Sequence, residues 1–159
     1  MVQRKRRLPE RAAYVACSGG CRATAACQSG CVGCGVCISV CPFEAIEMNA
    51  NGVAEVLQEK CLGCGKCTRE CPREVIRLHA RLNPIVVACS NREPGKTARS
   101  QCEVSCIGCG VCKKVCPAGA ARVEENLSRI DESACLSCGQ CAVQCPRGCI
   151  RDLRGILTD

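Results

Sequence analysis

The run Cys31-Val-Gly-Cys34-Gly-Val-Cys37-Ile-Ser-Val-Cys41-Pro42 has the spacing C-x2-C-x2-C-x3-C-P, and the chain repeats it three more times. The other copies are Cys61-Cys64-Cys67-Cys71-Pro72, Cys106-Cys109-Cys112-Cys116-Pro117 and Cys135-Cys138-Cys141-Cys145-Pro146. This is the spacing of thiolate ligands for [4Fe–4S] clusters. Three cysteines at x2 intervals curl a short loop around one face of a cubane. Gly or Ser between them (Gly33, Gly35, Gly63, Gly65, Gly108, Gly110, Ser137, Gly139) lets the backbone turn tightly and approach the inorganic core. The x3 step suits one helical turn, and the Pro behind it forces the chain out of that turn. The last thiolate is thereby directed away from its own loop.

Two other uses of so many cysteines compete with this one. The chain has 22 Cys among 159 residues, with one Phe, one Tyr and no Trp. Such density is typical of disulfide scaffolds in small secreted proteins. Against that, Met1-Val-Gln-Arg-Lys-Arg-Arg-Leu-Pro starts basic but has no apolar segment behind it, and no stretch approaches the roughly 18 apolar residues of a membrane span. The expected compartment is the cytoplasm, where cysteines usually serve metal or redox chemistry. Zinc, the other competitor, is held by separated C-x2-C pairs rather than x2-x2-x3-P runs, and would make the chain a structural or interaction module. With few large side chains to fill a core, the chain is expected to fold around its clusters and to be largely unfolded without them.

The formal charge of +7 looks like a nucleic-acid footprint. Four clusters with their thiolates would add about −8 to −12, so the loaded protein would carry a small negative charge. The basic residues are read as compensation for the clusters, and no nucleic-acid partner is expected.

The chain repeats itself at a larger scale. Val15-Ala16-Cys17-Ser18 returns as Val87-Ala88-Cys89-Ser90, and Cys27-x3-Cys31 returns as Cys102-x3-Cys106, each followed by two cluster motifs. This divides the chain into a basic N-terminal arm (1–13), a first unit (14–80), a junction (81–85) and a second unit with a C-terminal tail (86–159). Between the motifs of the first unit, Ala45-Ile46-Glu47-Met48 and Val53-Ala54-Glu55-Val56 predict a hairpin with Asn51-Gly52 as its turn. Ala121-Arg122-Val123 and Arg129-Ile130, about Asn126, make a weaker version in the second. Val75-Ile76-Arg77-Leu78 and Ile85-Val86-Val87-Ala88 flank a turn at Asn83-Pro84. Helices are expected only as single turns around the Cys-Pro steps, and Leu153-Arg154-Gly155-Ile156-Leu157 has no clear preference.

Over roughly 31–78 and 106–151, each unit resembles a bacterial-type ferredoxin with eight cysteines and two [4Fe–4S] clusters. The fuller pattern is Val-Ala-Cys, Pro-Gly-Lys at 94–96, Cys102-x3-Cys106-Ile-Gly-Cys-Gly and a closing Cys145-Pro-x2-Cys149-Ile150. It is similar to the polyferredoxin region of the B subunit of the Rnf ferredoxin:NAD oxidoreductase, whose membrane helix and membrane-proximal motif are absent from this sequence. Small polyferredoxin subunits of tungsten aldehyde oxidoreductases and hydrogenases are similar too. The resemblance implies an α+β fold of two tandem two-cluster units, with short hairpins and short helices around four [4Fe–4S] clusters. It also implies a crossover of ligands. Cys31, Cys34 and Cys37 would pair with Cys71, and Cys61, Cys64 and Cys67 with Cys41. In the second unit Cys106, Cys109 and Cys112 would pair with Cys145, and Cys135, Cys138 and Cys141 with Cys116.

Six cysteines remain. Cys149 aligns with Val75 and reads as a small buried residue, and Cys21 has no counterpart. Cys17, Cys27, Cys89 and Cys102 recur in both units. They read as buried thiols or, alternatively, as ligands of an additional metal centre. The single histidine, His79, reads as structural. Gly95-Lys96-Thr97 lacks the first Gly of a phosphate-binding loop, and one His with scattered acids assembles no catalytic set.

The expectation is therefore an electron-transfer subunit without its own substrate site, a four-cluster wire relaying low-potential electrons within a multisubunit oxidoreductase. Expected partners are redox subunits, with a flavin- or NAD-binding or a tungsten- or hydrogenase-type catalytic subunit as candidates. Docking in a peripheral membrane complex and self-association into a longer wire are compatible with this reading. The alternatives are a free, diffusible polyferredoxin and the zinc-stabilised module.

Overall fold

The strands at the two ends of each half of the chain are paired with one another. The computed structural model describes residues 8–20 and 27–158. In the N-terminal half, β1 (Arg11–Val15) runs antiparallel to β4 (Ile76–Ala80), with Val15 opposite Ile76 and Arg11 opposite Ala80. Between them lie α1 (Val36–Ser39), the hairpin of β2 (Ile46–Met48) and β3 (Ala54–Val56), and α2 (Lys66–Glu70). In the C-terminal half, β5 (Ile85–Val87) pairs with β8 (Ile150–Asp152), setting Val87 opposite Ile150. Enclosed there are α3 (Gly95–Gln101), α4 (Val111–Val115), the hairpin of β6 (Ala121–Glu124) and β7 (Leu127–Ile130), and α5 (Gln140–Val143).

Three details differ from the sequence expectation. β1 starts at Arg11, so residues 11–13 of the expected arm are strand, with Ala12 and Ala13 buried. Two small side chains carry the inward contacts there, and small residues leave no alternating pattern to read. Residues 1–7 of the arm lie outside the described residues. Likewise Ile85, expected in the junction, opens β5. Finally, α3 is a two-turn helix where only single turns were expected. Its Ala98 is fully buried, and the Ala98 carbonyl accepts from Cys102 N at 3.1 Å and Ser105 Oγ at 2.8 Å.

The hairpin turns are built from local chemistry. In the first, Asn49 Oδ1 accepts from Asn51 N at 3.0 Å and Val53 N at 3.1 Å, so Asn49 organises the turn that the Asn51-Gly52 pair signalled. In the second, Glu125 and Asn126 both have positive φ (48° and 61°), the backbone of a two-residue type I′ turn. The segments either side of Asn83-Pro84 do not pair with each other, because each closes its own half.

Two clusters of small aliphatic and cysteine side chains form the core. One gathers Ala12, Ala13, Ala45, Ile46, Val56, Val75 and Ile76 around Cys37, Cys61 and Cys67. Its counterpart gathers Ile85, Val87, Ala121, Leu127, Cys149 and Ile150 around Cys106, Cys112 and Cys141. His79 is buried, edge-on to Tyr14 at 5.8 Å between ring centroids, with Nε2 3.2 Å from Gln58 Oε1 and Nδ1 3.0 Å from the Ala80 carbonyl oxygen. No described helix is long and apolar enough to cross a membrane.

Candidate metal centres

Each of the four cysteine motifs adopts one local geometry. A left-handed glycine (Gly35, Gly65, Gly110 or Gly139, φ 73–76°) precedes a short helix carrying the third cysteine. That third cysteine is buried in every copy (Cys37, Cys67, Cys112, Cys141), whereas the second is exposed in every copy (Cys34, Cys64, Cys109, Cys138). A glycine two residues after the first cysteine is needed because the loop lies against other backbone. A Cβ on Gly33 would come within 2.7 Å of the Gly52 carbonyl oxygen in the hairpin turn. The fourth copy has Ser137 there instead, still left-handed at φ 54°. Its hydroxyl bonds to the Leu82 carbonyl at 3.0 Å and Asn83 Oδ1 at 2.9 Å, which offsets the strain.

Three cavities bring cysteines from two motifs together. Cys31, Cys34, Cys37 and Cys71 line the first, and Cys41, Cys61, Cys64 and Cys67 the second. The third is lined by Cys106, Cys109, Cys112 and Cys145, with Cys149 as a fifth sulfur. In the remaining group, burial and then the nearby Cys135, Cys116, Cys112 and Cys138 push the Cys141 thiol up to about 11. Cys67 is likewise pushed up to about 11, by burial and then by Cys61, Cys64, Cys41 and Cys37. These are thiols crowded together in an apolar place.

Backbone donors meet four of the sulfurs. Ala13 N donates to Cys61 Sγ at 3.3 Å, Ser128 N to Cys106 Sγ at 3.3 Å, Ser137 N to Cys135 Sγ at 3.4 Å and Ala45 N to Cys41 Sγ at 3.5 Å. Backbone amides aimed at sulfur stabilise a thiolate and are one determinant of cluster potential. A mononuclear zinc site instead needs four donors about 2.0–2.3 Å from one point. No group of three or more His, Cys, Asp or Glu side chains among the described residues could hold a single ion in this way. Sulfurs lining a cavity fit a multi-atom core better than one ion.

The other recurrent cysteines fall into two equivalent pairs. Cys17 lies with Cys27 beside Cys31, and Cys89 with Cys102 beside Cys106. Cys21 is outside the described residues, and none of the described cysteines is in a disulfide. Two arginines went unnoticed in the sequence. Arg73 Nε donates to the Gly30 carbonyl at 3.3 Å, and Arg147 donates to the carbonyls of Ser105 (Nε, 3.3 Å) and Cys102 (Nη2, 2.7 Å). Each ties the backbone just ahead of a first cysteine to the motif that closes its half. The signal was present: Cys-Pro-Arg occurs at 71–73 and 145–147 and at neither other Cys-Pro.

Comparison with known families agrees with this chemistry. Three families described as 4Fe-4S dicluster domains match, over residues 24–78, 60–121 and 105–149. The chain thus carries 4Fe-4S cluster-binding domains of the ferredoxin type. These families do not single out the Rnf B subunit. No curated protein matches the chain. Among solved structures, one similar chain belongs to a "Formate dehydrogenase - heterodisulfide reductase - formylmethanofuran dehydrogenase complex" from Methanospirillum hungatei. The two are 23% identical with a TM-score of 0.30, over 77% of this chain and 51% of that one. This chain spans about half the length of that relative.

Proposed function

We propose that the protein is a four-cluster electron wire, built as two tandem two-cluster ferredoxin units (14–80 and 86–159), and a non-catalytic subunit of a larger oxidoreductase. The observation that carries the reading is the composition of the cavities. Each is lined by three cysteines of one motif and the last cysteine of its neighbour. On this reading the ligand sets are Cys31, Cys34, Cys37 and Cys71; Cys61, Cys64, Cys67 and Cys41; Cys106, Cys109, Cys112 and Cys145; and Cys135, Cys138, Cys141 and Cys116. When bound, each cluster supplies a one-electron step at low potential.

The residues of the chain hold, insulate and expose. The buried third cysteines and the aliphatic cores exclude water from one side of each site, and backbone amides balance the charge on the sulfurs. The exposed second cysteines mark where electrons enter and leave. Beside Cys138 this opening is apolar: Leu136 in the same loop is 69% exposed, and Leu82, whose carbonyl bonds to Ser137, is 89% exposed. The Ser137–Leu82 bond holds Leu82 beside the loop. Exposed apolar side chains grouped at one electron port favour a docked subunit over a free carrier. The partner would be a redox protein of the flavin- or NAD-binding, tungsten or hydrogenase kind.

Anaerobic purification of the protein from its own cells tests the proposal. The expected product is brown, contains sulfide, and elutes in a stoichiometric complex with a redox subunit, while Leu136→Asp breaks the complex and keeps the iron. A brown monomer would make it a free carrier. A colourless zinc protein would end the electron-transfer reading.

A further inference from the structure

Cys17, Cys27, Cys89 and Cys102 stand outside the four sets, and the segments that carry Cys17, Cys89 and Cys102 lie where the two halves touch. Ser18 Oγ donates to the Ala88 carbonyl at 3.1 Å, and Ser90 Oγ to the Ala16 carbonyl at 3.0 Å. These bonds join equivalent residues of the repeat in reciprocal fashion, so a local two-fold axis runs between them. Each serine reaches the residue that flanks the other half's cysteine, so the backbone segments carrying Cys17 and Cys89 lie against each other.

The second member of each pair comes close too. A Cβ on Gly30 would lie 3.4 Å from Cys17 Sγ and 3.6 Å from Cys27 Sγ, so these sulfurs are neighbours. Cys102 lies within electrostatic range of Cys89. Glu103 N, next to Cys102, donates across the boundary to the Gly20 carbonyl at 3.0 Å, three residues after Cys17.

Backbone amides point at two of these sulfurs. Cys89 Sγ accepts from Cys106 N at 3.3 Å and Asn91 N at 3.4 Å, and Cys17 accepts from the amides of Cys31 and Gly19. The same kind of amide donor meets Cys41, Cys61, Cys106 and Cys135 in the four sets.

We propose that Cys17, Cys27, Cys89 and Cys102 together ligate a further [4Fe–4S] centre on this internal two-fold, a proposal that rests on the cluster reading of the other sixteen cysteines. Each half contributes two thiolates. Cys27 and Cys102 each precede a first ligand by the x3 step that also separates the third and fourth cysteines of every motif. The centre therefore sits between the Cys31 and Cys106 loops and joins the two cluster pairs into one conducting path.

Native mass spectrometry of the full chain, reconstituted anaerobically with iron and sulfide, reads the result. The fully loaded species is expected to carry about twenty irons with matching sulfide, and Cys17→Ala and Cys89→Ala each to lose one four-iron core, leaving about sixteen. Saturation of the unsubstituted protein at about sixteen, unchanged in both variants, overturns the fifth centre and leaves the four-cluster reading standing. A chain that takes up no iron overturns that underlying reading instead. About sixteen irons with a zinc that Cys89→Ala removes would also overturn a cluster at this place. Should a variant fail to fold, the iron count of the unsubstituted protein decides alone.

Discussion

Cys149 Sγ lies 3.5 Å from Cys145 Sγ, and the same thiol bonds to Cys106. Val75 holds the corresponding place in the N-terminal half, beside Cys31, Cys34, Cys37 and Cys71. Cys149 is buried, and contact with Cys106 and Cys145 pushes its own pKa far up, so it stays a thiol and donates. Sharing its single S–H between them lowers the pKa of both Cys145 and Cys106, each against the opposing effect of burial. A donor to ligand sulfur favours the reduced, more negative cluster. Cys149→Val should lower the potential of one cluster by something on the order of tens of millivolts and leave the others unmoved. A redox titration followed by electron paramagnetic resonance checks this.

The proposed crossover of ligands predicts a pattern of non-additivity. Cys31→Ala and Cys71→Ala address one cavity, so the double variant should lose about four irons, as each single variant does. Cys61→Ala with Cys71→Ala addresses two cavities and should lose about eight. If each motif held its own cluster, the two results would be exchanged.

Ser137 takes a backbone conformation that suits glycine, and its hydroxyl ties the last cysteine loop to the turn at Leu82 and Asn83. Ser137→Ala keeps the strain and loses both bonds, so it should destabilise by about 1–3 kcal/mol. Ser137→Gly loses the bonds but relieves roughly 1 kcal/mol of strain, and should be the milder change. Loss of visible absorbance against denaturant, measured anaerobically, gives the order.

Assembly should depend on pH. Burial, and then crowding by other thiols, pushes Cys67 and Cys141 up from 9.0 to about 11. A raised thiol pKa means the metal-free site keeps its protons at neutral pH, and each must leave before iron binds. Proton release on binding makes assembly more favourable as pH rises and less so as it falls. Reconstitution at about pH 8.5 should therefore outpace that at about pH 6.5, with acidification of a weakly buffered solution. A yield indifferent to pH would contradict the assignment of these thiols as ligands.

Much of the site could be read along the chain, because cluster loops are local objects. Spacing alone marks Cys31 to Cys37 as one turn of backbone, and Gly35 in its left-handed conformation is what that spacing requires. Both inter-motif hairpins were legible from their turn residues. Less was visible where small residues do the packing: Ala12 and Ala13 extend β1 without any alternation, and α3 is held by Ala98 and the hydroxyl of Ser105.

The sequence by itself determined the chemistry of this protein: sixteen cysteines in four identical spacings, a duplicated plan, and too few large side chains for an ordinary core. Only the tertiary structure decided which distant segments meet. Cys71 shares a cavity with Cys31 because β4 pairs with β1, and the segments carrying Cys17 and Cys89 meet because two serines exchange hydrogen bonds across the boundary between the halves. The physical reason is that ligand spacing is set by bonds within a few residues. The meeting of motifs depends instead on strand register and side-chain hydrogen bonds between residues some 60 to 75 positions apart.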